Sequence, residues 1–161
     1  MRTLIHATLL LCLTTPLLAQ HTEADTHCDR AISYAHKGDY DNAIKEYDEA
    51  IRLDPHYVQA FYDRGNAYSH KGDYDSAIKD YDSAIGLQAD FAKAFSNRGL
   101  AYGKKGDYAR AIKDFDEAIE LNPKDAISLY NRGIMKQKSG DIAGGNDDIA
   151  RAKELKPKVG K

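Results

Sequence analysis

Between residues 58 and 91 the apolar and small side chains fall at helical spacing, break, and resume. Phe61, Gly65 and Tyr68 recur at intervals of four and three, which puts them on one face of a first helix. Lys71-Gly72-Asp73 interrupts the pattern, glycine supplying a left-handed helix end and aspartate a cap for a new helix. Ala77, Ile78, Tyr81, Ala84 and Ile85, again three and four apart, mark that second helix. Small Gly65, Ala77 and Ala84 predict a close approach of the two helices, with Tyr68, Tyr74 and Tyr81 filling the space between them.

The same pattern returns every 34 residues. Gly38, Gly72, Gly106 and Gly140 align, each followed by Asp, and Leu53, Leu87, Leu121 and Leu155 keep the register without an insertion. Four copies cover about 24–57, 58–91, 92–125 and 126–159. A hairpin of two short helices cannot bury its apolar face alone, so successive copies must stack to build a core.

This pattern resembles the tetratricopeptide repeat. Its run of a large residue, Gly, Tyr, Ala, aromatic, Ala and Pro stands in the third copy as Phe95, Gly99, Tyr102, Ala111, Phe115, Ala118 and Pro123. The first copy departs with His27 and Ala31, the second with Ala89 for the closing Pro, and the fourth with Lys136, Gly145 and Ile149. The resemblance implies an all-α fold, a right-handed α-solenoid of four helix-turn-helix repeats over residues 20–161, whose first helices line a concave groove for an extended peptide. A non-enzymatic protein-interaction module, or adaptor, is the function it implies. A self-assembling unit that stacks through an uncapped terminal repeat is the alternative.

Projected onto the first helices, the residues two before each repeat's Gly position are Asp29, Asp63, Asn97 and Asn131. Around them the expected groove takes in Tyr62, Asn66, His70, Lys93, Lys104, Tyr130 and Lys138. Carboxylates lie toward the N-terminal half, and amides and ammonium groups toward the C-terminal half, so a ligand of opposite polarity is steered into one orientation. An Asn amide can both donate to and accept from a peptide main chain without reading side chains. Glycosyltransferase members of the family use a comparable Asn ladder, which Asn97 and Asn131 resemble in short form, while Asp29 and Asp63 depart from it. Chaperone-binding members clamp an acidic tail with two Lys, an Arg and two Asn. Here Asn66 and Asn97 stand at the amide positions, but Tyr62, Ile127 and Asn131 replace the cations, so that ligand class is not expected.

Composition narrows the classes further. Charged residues make up 30% of the 161 and nearly cancel, to a net charge of −2, so electrostatics favours neither nucleic acid nor an anionic membrane as partner. No nucleophile–base pair, metal spacing or glycine loop stands in a catalytic context, and no cofactor or metal is expected. Asp39-Tyr40-Asp41 lacks the remaining ligands of a calcium loop and reads as turn and cap chemistry. Lys104 and Lys105 between glycines read as a helix C-terminus whose dipole they complement. Arg30, Arg64, Arg98 and Arg132 directly precede the helix-packing position and are expected to pair within the solenoid with second-helix acids such as Asp48, Asp82 and Asp116.

Met1–Ala19 is of another kind: Arg2, an apolar run through Leu9–Leu13, then Pro16-Leu17-Leu18-Ala19. That is the layout of a secretory signal peptide cut after Ala19, with export to the periplasm or outside the cell, and membrane attachment only if the segment is retained. Cleavage would leave one cysteine of two, Cys28, with no intramolecular partner, read as a small half-buried thiol. An oligomer of identical chains stays open.

Overall fold

The structure, a computed structural model, describes residues 22–160, so the predicted leader lies outside the described residues. Eight helices occupy them: α1 (22–36), α2 (Tyr40–Leu53), α3 (Val58–Lys71), α4 (Tyr74–Leu87), α5 (Ala92–Lys104), α6 (Tyr108–Leu121), α7 (Ala126–Ser139) and α8 (Ile142–Leu155). They fall two to a repeat, at the predicted register. Every within-repeat turn passes through a glycine with positive φ, from +78° at Gly38 to +101° at Gly140, a conformation a side chain resists. The aspartate next to it caps the second helix: Asp39 accepts from the Asn42 N–H, Asp73 from Ser76, Asp107 from Arg110 and Asp141 from Gly144.

Turns between repeats are built differently. The cap positions of α3 and α5 are Tyr57 and Phe91, which make no capping bond and serve instead as apolar wedges. Tyr57 packs on the first core cluster and its hydroxyl donates to Asp25 of α1 at 2.7 Å; Phe91 lies 4.8 Å, centroid to centroid, from Tyr62. Val159 occupies the same register position after α8 and is likewise buried.

The layering results from which helices touch. Each helix from α2 onward packs on the next, and α3 also meets α5, as α5 meets α7. The second helices α4, α6 and α8 make no such contact with one another. First helices crowded together and second helices splayed apart give an inner and an outer layer, hence an α-solenoid with a concave inner face. The core is a ladder of alanines, Ala43, Ala77 and Ala111 with Ala50, Ala84, Ala118 and Ala152, around fully buried Tyr81, Phe115 and Leu129.

The outward face of α8 differs from the faces that internal second helices offer to the next repeat. Ile44, Ile78 and Ile112 give way to exposed Asn146, and Ile51, Ile85 and Ile119 to exposed Lys153. Polar outer faces are what terminal repeats carry in solenoids. The outward face of α8 is largely polar, and Ile142 and Leu155 are exposed on the same helix.

Candidate peptide-binding groove

Two recesses open in series along the concave side. The first, about 360 Å³, lies between repeats one and two and is lined by Ile32, Ala35, His36, Tyr40, Tyr47, Asp63, Asn66, Ala67 and His70. A smaller one, about 180 Å³, lies between repeats two and three, lined by Asn66, Ser69, His70, Tyr81, Asn97 and Leu100. Asn66 and His70 belong to both, which makes the two one continuous trough. Tyr40, Tyr47 and Tyr81 reach it from second helices between the small residues of the first, a contribution not assigned to the groove from the sequence. The signal available was the size of those tyrosines opposite alanines.

A hydrogen-bond chain ties the trough together. The Asn97 amide donates to the Tyr62 hydroxyl oxygen at 3.0 Å and to Asn66 Oδ1 at 2.8 Å, and Tyr81 donates its hydroxyl to the same Asn66 oxygen at 2.9 Å. Asn66 in turn donates to Asp63 at 3.3 Å, and Gln59 donates to Asp63 at 2.8 Å. Both Asn97 amide hydrogens thus serve the junction between repeats. Asn131 is half-buried and makes no hydrogen bond among the described residues. The two amides of the expected ladder thus differ in surroundings: Asn97 is bonded across the repeat junction and lines the second recess, and Asn131 is not bonded among the described residues.

The remaining predicted positions divide. Tyr62, Asp63, Asn66, His70 and Asn97 come together at the trough, although Tyr62 is half-buried against Phe91 and Tyr81. His70 stacks on Tyr40, centroids 5.0 Å apart and planes within 5°, and Lys138 lies 5.8 Å over the equivalent ring of Tyr108. Asp29, Lys93 and Lys104 are exposed and line neither recess. Tyr130 is half-buried and lines neither recess, and the turn at Gly160 sits so close to its ring that a Cβ there would collide with it. Burial raises the Asp63 carboxyl above its ordinary range, against the opposing bonds from Gln59 and Asn66 and the charge of Lys93.

The arginine series lies elsewhere and is fully engaged. Arg64 donates from Nε and Nη2 to both oxygens of buried Asp80, at 2.8 and 2.6 Å, and from Nη1 to Asp48 of the preceding repeat at 2.6 Å. Arg98 repeats this with Asp114 and Asp82, and Arg132 with Asp148 and Asp116. Arg30 pairs with Glu46 at 3.0 Å. The predicted acids are the outer, exposed prong; Asp80, Asp114 and Asp148, the buried bidentate partners, were not singled out. Cys28 is buried, which pushes its thiol up to about 11, so it stays protonated at neutral pH and chemically quiet.

Helical hairpins stacked in one direction, with a trough on the inner layer and charge clamps between layers, define a repeat-built recognition scaffold. A family model described as tetratricopeptide repeat matches residues 92–125, and another, described as TPR repeat, matches 31–72 and 65–106. Together they span more than half of the chain, which belongs to the tetratricopeptide repeat family. Among solved structures, MamA superposes with a TM-score of 0.81 at 23% identity over 90% of this chain and 85% of that one. MamA from Desulfovibrio magneticus RS-1, residues 41 to the end, gives 0.79 at 21% over 86% and 78%. The second TPR domain of human RPAP3, in complex with the HSP70 peptide SGPTIEEVD, gives 0.71 at 29% over 73% and 98%. No curated protein sequence matches the chain.

Proposed function

We propose that the protein is a non-enzymatic interaction module that holds an extended segment of a partner protein in the trough of its concave face. The observation that carries the reading is the continuity of the two recesses through Asn66 and His70, which offers a linear path across three repeats rather than an isolated cavity. The peptide complex of the RPAP3 domain supports the use of such a surface in this fold. Ile32 and Leu100 provide apolar contact in the recesses, and Asn131, on the first helix of the fourth repeat and without a hydrogen bond among the described residues, provides a main-chain partner beyond them. The apolar Met1–Ala19 segment supports export, to the periplasm or outside the cell, as the place of action.

Two measurements test this. Leu100→Trp fills the second recess with a larger apolar side chain; a partner captured from extracts by the wild type should be lost by this variant at unchanged helical circular dichroism. Equal capture by both proteins refutes the groove. For export, sequencing of the protein recovered from its source organism should begin at Gln20, and an intact Met1 refutes cleavage.

A further inference from the structure

Among the described residues, most acids that are buried or half-buried outside helix caps are neutralised by arginine, while Asp25 accepts from the Tyr57 hydroxyl. Asp80, Asp114 and Asp148 each hold a bidentate guanidinium, and Glu46 is bonded by Arg30 and His27. Asp63 is an exception, and it stands at the edge of the larger recess. Its hydrogen bonds come from neutral amides, Gln59 at 2.8 Å and Asn66 at 3.3 Å, and no Lys, Arg or His is within ion-pair distance among the described residues. Lys93 is close enough for its charge to be felt but makes no contact. Partial burial without a counter-charge leaves a carboxylate whose field is poorly screened and directed into the trough.

The walls of that recess suit a long cationic side chain. Ile32 and Ala35 offer apolar surface for a methylene stem, Tyr40, stacked on His70, leaves one ring face and its edge, buried Tyr47 and Ala67 form the floor, and His36 and His70 complete the lining. The neighbouring recess is an internal comparison. At the position equivalent to Asp63 it has Asn97, uncharged and already bonded to Tyr62 and Asn66. The two recesses differ in size and in several lining residues, and only the first is lined by a carboxylate, Asp63.

We propose that the recess between repeats one and two is a specificity pocket for a Lys or Arg side chain of the bound segment, with Asp63 as its counter-ion. The inference rests on the groove reading above and adds the chemistry of one ligand position. The occupant is a basic residue of a peptide, because the trough continues from this recess into the next and so accommodates the chain that carries the side chain. Exposed Asp29 lies outside the recess and steers at long range without contact.

The test uses a displayed library of random linear peptides selected on the purified protein, then synthesis of the selected sequence and its norleucine counterpart at the basic position. The expected result is selection of peptides with Lys or Arg at one fixed place, and binding about tenfold weaker when norleucine replaces it. Asp63→Asn, which keeps shape and can still accept from Gln59, should bind the two peptides equally, whereas Asp29→Asn should keep the difference. Selected peptides without a fixed basic residue, or a preference unchanged in Asp63→Asn, overturn the pocket while leaving the groove in place if Leu100→Trp abolishes binding. Failure to select any peptide, or binding indifferent to Leu100→Trp, overturns the groove reading and the pocket with it.

Discussion

Arg98 carries two carboxylates at once, and their unequal burial sets their unequal worth. Asp114 is 6% exposed and takes two parallel bonds at 2.9 and 2.7 Å, while Asp82 is 51% exposed and takes one at 2.5 Å. Removing a buried partner strands a charge, whereas removing a solvated one costs little beyond a screened contact. Arg98→Met should therefore destabilise the protein by about 3 kcal/mol, and Asp82→Ala by no more than about 1 kcal/mol, read as urea midpoints at constant slope. Equal losses would mean that the buried pair with Asp114 adds nothing beyond the outer prong. The arginine's pairing role was readable from its place before the packing glycine; which acids lie at which depth was not, because Asp80 and Asp82 differ by two residues and point to different layers.

At the level of the helix pair, close approach is bought with small residues, and the last hairpin takes this furthest. A Cβ on Gly133 would stand 2.7 Å from the carbonyl oxygen of Gly145 and 2.8 Å from Ile149, and one on Gly145 would meet the Gly133 carbonyl as closely. Internal repeats have Gly against Ala at these positions, so α7 and α8 approach with neither partner carrying a large side chain. Gly133→Ala gains about 1 kcal/mol in helix propensity but forces backbone apart, a cost of about 1–3 kcal/mol. Because the obstructing atom is a backbone oxygen, the clash should win, giving a net loss of about 1 kcal/mol and a lower melting temperature. A rise in melting temperature would show that the hairpin yields at no cost. Helix bounds and turn glycines were legible in the repeat period; the wedge role of Tyr57, Phe91 and Val159 was not, since a helix cap position normally calls for a polar residue.

For the array as a whole, each repeat contacts only its neighbours, so what each end offers decides whether the stack could continue. Asn146 and Lys153 stand where internal repeats have isoleucines, and Ala150 where they have the outer acid of the arginine clamp. Restoring the internal pattern with Asn146→Ile and Lys153→Ile should raise the solution mass by light scattering relative to the wild type at equal concentration. No change in mass would mean that those polar residues are not what limits stacking. The groove also belongs to this level, since neither recess exists within one repeat: the first needs Ile32 and Tyr47 from one and Asp63 and His70 from the next.

The 34-residue period, the glycine-aspartate turns and the alanine ladder were enough to dictate hairpins, their number and their stacking, because each is a local or nearest-neighbour property repeated in register. The placement of Asp63, Asn97 and Asn131 on the inner helices was equally readable, because equivalent positions of equivalent helices must face the same way. Their chemistry was not. Asn97 donates to Tyr62 and Asn66, Asn131 makes no hydrogen bond among the described residues, Tyr130 packs at Gly160, and Asp63 alone among these brings a carboxylate to a recess. The Asn97 bonds reach side chains 31 and 35 residues away, and the other contacts likewise join distant segments, so each exists only once the repeats are stacked at their actual distance and angle.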